Sequence, residues 1–347
     1  MADQPTGFQS AVVTDGTGSA WMEDRDIPEP AADEVLVKVR AVGICGSDIG
    51  MIHGEGPPWK EYPVVLGHEV CAEVIEPGEE VDGLSPGNRV ALHGFLFCGR
   101  CQTCRAGRYY QCDEVQEIGF SLDGGYREYA VWPAYTLNPI SEAISDAAAT
   151  QIDTAGCMLH ALKRIDPSVA DTAAVLGPGP MGLYGVQLLK ALGVADIVVT
   201  GLYDERLSVA EALGATHTIN VTERDPIDAI KDYTNGRGVD ICVEAAGAGD
   251  VVQTAMQSTA NQGQVVLTGL FDAMKKIDPN DVVIKELSVV GGVTSANAIE
   301  ETVELFERGD LTAEGVVTHE FPLSAYEEAL KTVRERQDGV IKAVLRP

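Results

Sequence analysis

The sequence is short of basic residues and of long apolar runs. Only 25 Lys and Arg stand against 53 Asp and Glu, giving a formal net charge of −28 and a pI near 4.4. We expect no nucleic-acid partner, because contacts to phosphates need a basic surface. No apolar run reaches the roughly 18 residues of a membrane-spanning helix, so no membrane partner is expected either. Residues 1–8 show neither the basic nor the apolar segment of a secretory signal.

The deficit of basic residues also bears on the environment of the protein. An acidic excess of this size destabilises a compact chain by self-repulsion unless salt screens the charges. This combination is typical of proteins from concentrated brine, and we interpret it as halophilic adaptation. An ordinary acidic surface is the alternative interpretation.

The strongest motif is formed by four of the eight cysteines, Cys98-x2-Cys101-x2-Cys104-x7-Cys112. Four thiolates at close spacing suit a closed tetrahedral zinc site, which would stabilise a loop with little core of its own. Disulfide-bonded or free thiols are the alternative. Because no export signal is visible, we expect a cytoplasmic protein with reduced thiols and a structural zinc ion.

The length of 347 residues suits two domains. Short β segments punctuated by Gly and Pro dominate the first part, as in the alternating apolar pattern over 35–39. From about residue 172 strands and helices alternate, beginning with a strand at 173–176 and a helix at 181–192. We predict an α/β protein with a doubly wound parallel sheet and a β-rich second domain. The apolar final segment, 340–345, is expected to return to the first domain.

Two weaker signals are Cys45 in GICGSD and His68 in LGHE. A catalytic zinc ion keeps three protein ligands and one open position, so its ligands are expected on separate loops. Taken alone, Cys45 also suits a small core residue and His68 a hydrogen-bonded surface residue.

A glycine-rich turn follows the predicted strand and opens the predicted helix. Its sequence is Gly177-Pro178-Gly179-Pro180-Met181-Gly182. In this context the glycines permit a tight turn and close approach of a pyrophosphate to the helix N-terminus. The sequence therefore predicts a dinucleotide site.

Together and in this order, the three motifs resemble the zinc-dependent medium-chain alcohol dehydrogenase family, in particular its polyol, sugar and threonine dehydrogenase branch. The resemblance covers essentially the whole chain. It implies a GroES-like catalytic domain, residues 1–156 and 296–347, with the structural zinc lobe at 94–115. It also implies that residues 157–295 form a Rossmann domain inserted into the catalytic domain.

The resemblance also implies the ligands of the catalytic zinc. Cys45 and His68 are the first two ligands, and Asp153 stands where the family has its third. Cys157, four residues further on, makes this assignment less secure. Glu69 would lie beside the zinc and exchange with water.

Further roles are implied around the first ligand. Asp48 would orient a ligating imidazole, and Ser47 would begin a proton relay. Read by itself, Ser47 also suits a helix N-cap. Where many members continue the relay through a His, this chain has Gly50, and the role of the nearby His53 is open.

The choice of cofactor depends on Gly201, at the position where an acidic residue would hold the ribose of NAD. The missing carboxylate leaves room for a 2′-phosphate, and Arg206 could approach it, whereas Asp204 and Glu205 would repel it. We therefore expect NAD(P), with NADP slightly favoured. By resemblance, three more residues border the nucleotide: Ala246, Leu270 and Val293.

The implied activity is hydride transfer between a secondary alcohol group and NAD(P), with two zinc ions per chain. The substrate is expected to be a polyol, a sugar or a related small hydroxy compound. The alternatives are an L-threonine 3-dehydrogenase-like or a general alcohol dehydrogenase and, less favoured, a non-catalytic zinc- and dinucleotide-binding protein. Three aromatic residues could shape the pocket or simply pack in the core: Trp59, Phe95 and Phe120. A homodimer or homotetramer is expected.

Overall fold

The computed structural model describes residues 5, 7–168, 171–271, 273–295 and 297–347. The chain forms two compact units. The first comprises the residues up to Asp153 together with Val317–Pro347, and the second comprises Thr154–Val316. The first boundary lies close to the predicted one at 156. The second boundary differs from the prediction, which placed it at 296, a residue outside the described ones.

The difference at the second boundary comes from one helix, Ile299–Arg308. Phe306 on this helix packs edge-on against Tyr184 of the second unit, with ring centroids 6.0 Å apart. Glu301 also forms an ion pair with Lys163 at 2.6 Å. The apolar face of this helix is therefore buried in the second unit, whereas the prediction placed the helix in the catalytic domain.

The first unit is rich in β-structure. Its strands are β1 (Phe8–Thr14), β2 (Ala20–Asp26), β3 (Glu34–Gly43), β4 (Val64–Val65), β5 (Glu69–Pro77), β6 (Arg89–Leu92), β7 (Phe95–Leu96), β8 (Gln116–Glu117), β9 (Tyr129–Pro133), β10 (Leu137–Pro139), β17 (Val317–Pro322) and β18 (Lys342–Arg346). Its helices are α1 (Gly46–Ile52), α2 (Gln102–Arg105), α3 (Asp146–Ala149) and α11 (Tyr326–Glu335), while α4 (Gln151–Leu162) begins just before the boundary.

The largest sheet of the first unit has the order β10-β6-β5-β3-β18-β17, and β9 also pairs with β3. Strand β3 buries Val35, Val37 and Val39 while Lys38 and Arg40 are exposed, which is the alternation that the sequence predicted. The last strand, β18, pairs antiparallel with β3. The apolar tail thus returns to the first unit, as expected.

The second unit holds a parallel sheet with the order β13-β12-β11-β14-β15-β16. The strands and helices alternate along the chain: β11 (Thr172–Leu176), α5 (Pro180–Ala191), β12 (Asp196–Gly201), α6 (Asp204–Leu213), β13 (His217–Asn220), α7 (Pro226–Tyr233), β14 (Val239–Glu244), α8 (Val251–Ser258), β15 (Thr259–Leu267), α9 (Pro279–Lys285), β16 (Ser288–Gly291) and α10 (Ile299–Arg308). This strand order is that of a Rossmann fold. Within the described residues, no helix has the length and apolar character needed to cross a membrane.

Candidate metal centres and dinucleotide site

The four motif cysteines converge in the segment between β7 and β8. Their Sγ atoms all lie within 4.8 Å of one another. The pairs Cys98–Cys104 and Cys101–Cys112 are each 4.0 Å apart. Bonds of about 2.3 Å from a tetrahedral zinc ion place its sulfur ligands about 3.8 Å apart. The four thiols therefore fit a closed zinc site.

Hydrogen bonds to these sulfur atoms favour the thiolate form, which is the form that binds a metal cation. The backbone N–H of Cys101 donates to Cys98 Sγ at 3.4 Å, and the N–H of Cys104 donates to Cys101 Sγ at 3.4 Å. Hydrogen bonds from Thr103 and from backbone N–H groups lower the pKa of Cys101 to about 6. All eight cysteines lie in the described part of the chain, and none forms a disulfide.

A second cluster brings together Cys45, His68 and Glu69, whose ligand atoms lie within 4.8 Å of one another. Cys45 is the N-cap residue of α1, and Glu69 opens strand β5 directly after His68. His68 and Glu69 are only 8% and 2% exposed. One thiol, one imidazole and one carboxylate form a donor set that suits a catalytic zinc ion with an open position.

Asp48 lies behind His68, as the sequence predicted. Its Oδ2 accepts hydrogen bonds from Cys45 N at 2.8 Å and from Tyr126 Oη at 3.0 Å. Its Oδ1 lies 3.5 Å from His68 Nδ1, which is an ion-pair distance. Burial alone would raise the pKa of Asp48 and lower that of His68. Their mutual attraction outweighs burial and shifts both the opposite way.

Glu69 forms a buried ion pair with Lys342 of the last strand. Lys342 Nζ lies 2.6 Å from both carboxylate oxygens of Glu69 and donates to Ile44 O at 3.2 Å. Burial would lower the pKa of Lys342, but the charge of Glu69 outweighs it and raises the pKa. Sequence reasoning missed Lys342, although a single Lys within an apolar final segment was a signal for such a role.

Three other residues predicted for this site lie outside the Cys45–His68–Glu69 cluster: Asp153, Ser47 and His53. Asp153 lies half-buried in the first turn of α4, and its carboxylate is outside the group formed by Cys45, His68 and Glu69. Ser47 lies inside α1, whose N-cap residue is Cys45, so Ser47 does not have the capping role. His53 is the exposed C-cap residue of the same helix.

Glu117 is a buried carboxyl group near this cluster that sequence reasoning missed. Its Oε2 accepts a hydrogen bond from Trp59 Nε1 at 2.9 Å. Burial raises the pKa of Glu117 to about 7, and the charges of His68 and Asp153 also act on it. The ring of Phe120, three residues further on, lies 5.0 Å from that of His68. No local motif marks Glu117, because its neighbours come from distant parts of the chain.

The glycine-rich turn joins β11 to α5 as predicted. Gly177 has a φ of +105°, which favours glycine, and a Cβ at Gly182 would lie 1.9 Å from Gly177 O. A Cβ at Gly179, by contrast, would meet no atom within 4 Å. The turn and the helix packing thus need Gly177 and Gly182, whereas the space at Gly179 suits a bound pyrophosphate. Pro180 is the first residue of the helix, followed by Met181.

Gly201 ends β12 beside the glycine-rich turn. A Cβ there would lie 2.7 Å from Pro178 Cγ, so the proline excludes a side chain at this position. Asp204 Oδ1 accepts a hydrogen bond from Asn220 Nδ2 at 2.6 Å. The guanidinium of Arg206 lies 5.9 Å from the centre of the Tyr203 ring.

A buried carboxylate, Glu244, connects two loops at the ends of β14 and β15. Its Oε1 accepts from the N–H groups of Ala246 and Gly247, both at 2.8 Å, and its Oε2 accepts from Gly269 N at 3.2 Å. These loops lie at the carboxyl edge of the sheet, where such folds bind nucleotides. All three of the further residues predicted to border the nucleotide are exposed: Ala246, Leu270 and Val293.

Comparisons with known proteins agree with this architecture. Residues 31–142 match the family model described as the alcohol dehydrogenase GroES-like domain, and residues 180–308 match the zinc-binding dehydrogenase model. The chain is 33% identical to the sorbitol dehydrogenase of Bacillus subtilis, over 97% of each chain. It is 32% identical to the L-threonine 3-dehydrogenase of Pyrococcus abyssi, over 94% of this chain and 95% of the relative.

A solved structure is similar over nearly the full length. The NADP-bound structure of a protein described as a zinc-binding dehydrogenase, from Sinorhizobium meliloti, has a TM-score of 0.93 at 29% identity. The match covers 98% of this chain and 100% of that one. The protein thus belongs to the zinc-dependent medium-chain alcohol dehydrogenase family, whose members use zinc and NAD(P) to oxidise alcohol groups.

Proposed function

We propose that this chain oxidises a secondary alcohol group of a polyol, sugar or related small hydroxy compound with NAD(P). The observation that carries the proposal is the buried cluster of Cys45, His68 and Glu69. Relatives named sorbitol dehydrogenase and L-threonine 3-dehydrogenase support a substrate with several polar groups. An L-threonine 3-dehydrogenase-like activity is the second candidate, because those relatives match as well as the sorbitol enzyme does.

The catalytic zinc would be held by Cys45, His68 and a carboxylate, Asp153 in the resting site with Glu69 able to exchange. When bound, this ion supplies Lewis acidity, which lowers the pKa of an alcohol hydroxyl in the open position. Asp48 orients the His68 imidazole, and Lys342 holds Glu69 in place. Ser47, half-buried at the start of α1, would begin a proton relay: it would accept the hydroxyl proton while its own hydroxyl proton passes on to water.

The second zinc would be held by the four cysteines of the lobe at 94–115. Because four protein ligands fill a tetrahedral site, this ion would have no position for substrate. Its role would be to fold a segment whose regular structure, among the described residues, is limited to the two-residue strand β7, helix α2 and one 3-10 turn.

For the cofactor we propose NADP over NAD. The absence of a side chain at Gly201 leaves no carboxylate to repel a 2′-phosphate. One of the two nearby acids, Asp204, is already engaged by Asn220. Arg206 would then supply the positive charge.

We also propose that the chain forms a homo-oligomer through the edge of the Rossmann sheet. Strand β16 is an edge strand among the described residues, and the preceding helix α9 exposes Val283 and Ile284 by 72% and 78%. Such an edge with adjacent apolar side chains suits pairing with a second copy. Light scattering should show a dimer or tetramer that Ile284→Lys dissociates, whereas Leu192→Lys, at the exposed C-cap of α5, should have no effect.

The test of the proposed activity is the initial rate of nicotinamide reduction with polyols, aldoses, L-threonine and simple secondary alcohols. NAD and NADP are compared in molar KCl, with and without a zinc chelator. We expect a chelator-sensitive rate that is highest with a polyol or sugar and with NADP. A highest rate with L-threonine would favour the second candidate, and no rate in folded, zinc-loaded protein would contradict both.

A further inference from the structure

The side chain of Glu117 is an incompletely satisfied carboxyl group inside the first unit. The residue is 8% exposed and lies on β8, opposite Phe95 of β7. Trp59 donates to one carboxyl oxygen, Oε2. Among the described residues no hydrogen bond reaches the other oxygen, Oε1, and this atom is not among the fully buried atoms that lack a partner, so it is accessible to solvent. The described ion pairs include none with Glu117.

The surroundings of Glu117 place it beside the candidate zinc ligands. The bond from Ile118 N to Gly94 O, at 2.8 Å, joins the residue before β7 to the residue after β8 in the same hairpin. A Cβ at Gly94 would lie 3.9 Å from both His68 Cβ and Ile118 O. The aromatic ring of Phe120 covers the His68 ring from the same hairpin. The carboxyl group therefore shares a local environment with His68.

A purely structural role explains this arrangement poorly. Buried polar atoms in folded proteins nearly always have partners, and an ionised carboxylate without a cation is costly to bury. Anchoring Trp59 would require only one neutral acceptor oxygen. The second oxygen is not fully buried, so it is open to a hydrogen bond from solvent or from a bound molecule.

We propose that Glu117 is a specificity-determining residue, whose Oε1 accepts a hydrogen bond from a substrate hydroxyl other than the one that is oxidised. This inference rests on the proposed function, because it assumes that the alcohol binds at the Cys45–His68 cluster. It narrows the substrate class to diols, polyols and sugars. A simple secondary alcohol has no second hydroxyl and leaves Oε1 without a partner, which the site disfavours.

The experiment compares kcat/KM for 2,3-butanediol and for 2-butanol in the zinc-loaded protein. These two substrates differ in one hydroxyl. Glu117→Leu removes the acceptor, and we expect it to lower the ratio of the two kcat/KM values at least tenfold, the effect of one charge-assisted hydrogen bond. Glu117→Gln keeps an amide oxygen and nitrogen for a neutral hydrogen bond, so its ratio should lie between those of Glu117→Leu and the wild type.

The matched control is Gln116→Leu, an exposed neighbour on the same strand. It should leave the ratio unchanged. Equal losses for both substrates in Glu117→Leu would indicate a structural role and overturn the proposal, as would an unchanged ratio. A larger loss with L-threonine than with the diol would also overturn it, because the partner would then be an ammonium group.

Failure of the proposed function gives a different result. In that case the wild-type protein itself would turn over neither alcohol, although it contains zinc. If only the Glu117 proposal fails, the wild type is active, and the ratio of its kcat/KM values for the diol and the simple alcohol is the same in the Glu117 variants. Zinc content and circular dichroism of each variant show whether it is folded.

Discussion

Among single residue contacts, the buried ion pair of Glu69 and Lys342 is expected to contribute most to the stability of the candidate zinc site. The two side chains are only 2% and 4% exposed, and they come from positions far apart in the sequence. Removing one partner of such a pair leaves an uncompensated buried charge, which costs more than the pair itself gains. Lys342 is therefore expected to be essential to the site although it binds neither zinc nor substrate.

We predict that Lys342→Met destabilises the protein by about 3 kcal/mol, because the buried carboxylate of Glu69 loses its ion pair with Lys342. Thermal unfolding at constant salt and zinc measures the effect. Lys331→Met, an exposed residue on α11, is the matched control and should unfold at the wild-type temperature. Equal unfolding temperatures for all three proteins would show that the pair contributes nothing to stability.

A second residue, Asp146, should give a pH-dependent contribution. Arg89 and Arg40 hydrogen-bond to its carboxylate at 2.6 Å and 3.1 Å. Burial alone would raise the pKa of Asp146, but these two arginines outweigh burial and hold the pKa below 3.8. Because the folded pKa lies below the unfolded one, the carboxylate stabilises the protein above about pH 4. This stability is lost as the pH falls through the folded pKa.

Asp146→Asn should therefore lower the denaturation midpoint at pH 7, by an amount equivalent to about 2 kcal/mol, and the difference from wild type should shrink below about pH 4. Urea denaturation across this pH range measures it. The exposed Asp82→Asn is the control and should follow the wild type throughout. A difference that stays constant with pH would mean that charge is not its cause.

At the scale of elements, local patterns predicted much of the Rossmann unit. The helix expected at 181–192 is observed as Pro180–Ala191, and the strand expected at 173–176 as Thr172–Leu176. Both elements carry their own signals, namely an apolar run and a proline in the first helical turn. Strand β15 begins at Thr259, although the polar, exposed residues Asn261 and Gln262 interrupt its apolar pattern, so the start of this strand has no clear local signal.

Long-range contacts were what the sequence could not predict. The pairing of Lys342 with Glu69, the hydrogen bond from Tyr126 to Asp48 and the position of Glu117 all depend on how strands of the first unit meet. The position of helix α10 depends on such contacts too, because its apolar face indicates burial but not against which partner. The cysteine and glycine motifs could be recognised because their residues are close together in the sequence. Contacts between distant residues depend on tertiary packing, which the sequence motifs do not show.

The glycine-rich turn offers a test in which two glycines should behave differently. Gly179→Ala should leave the unfolding temperature nearly unchanged, since its Cβ meets open space, but weaken NADPH binding at least tenfold by blocking the pyrophosphate. Gly182→Ala should unfold at a lower temperature, because its Cβ would meet Gly177 O. Thermal unfolding and fluorescence titration with NADPH distinguish the two variants. A stable Gly179→Ala protein that binds NADPH like wild type would contradict this assignment of the turn.

At the scale of the whole molecule, the net charge of −28 is the dominant feature. Self-repulsion at this charge is long-ranged in dilute buffer, whereas at molar salt the screening length falls to about 3 Å. We therefore predict that the unfolding temperature rises by about 10 °C or more between 0.1 M and 2 M KCl. Differential scanning calorimetry measures it. A temperature independent of KCl would indicate an ordinary acidic surface instead of halophilic adaptation.

We propose that the chain holds two separate zinc ions with different purposes, one for catalysis and one for structure. The most direct measurement is the zinc content and alcohol-dependent turnover of the wild type and of Cys45→Ser. We predict two zinc ions per wild-type chain, and one zinc ion, a folded chain and no turnover for Cys45→Ser. A Cys45→Ser protein that keeps both zinc ions, or that still oxidises the alcohol at the wild-type rate, would contradict the account.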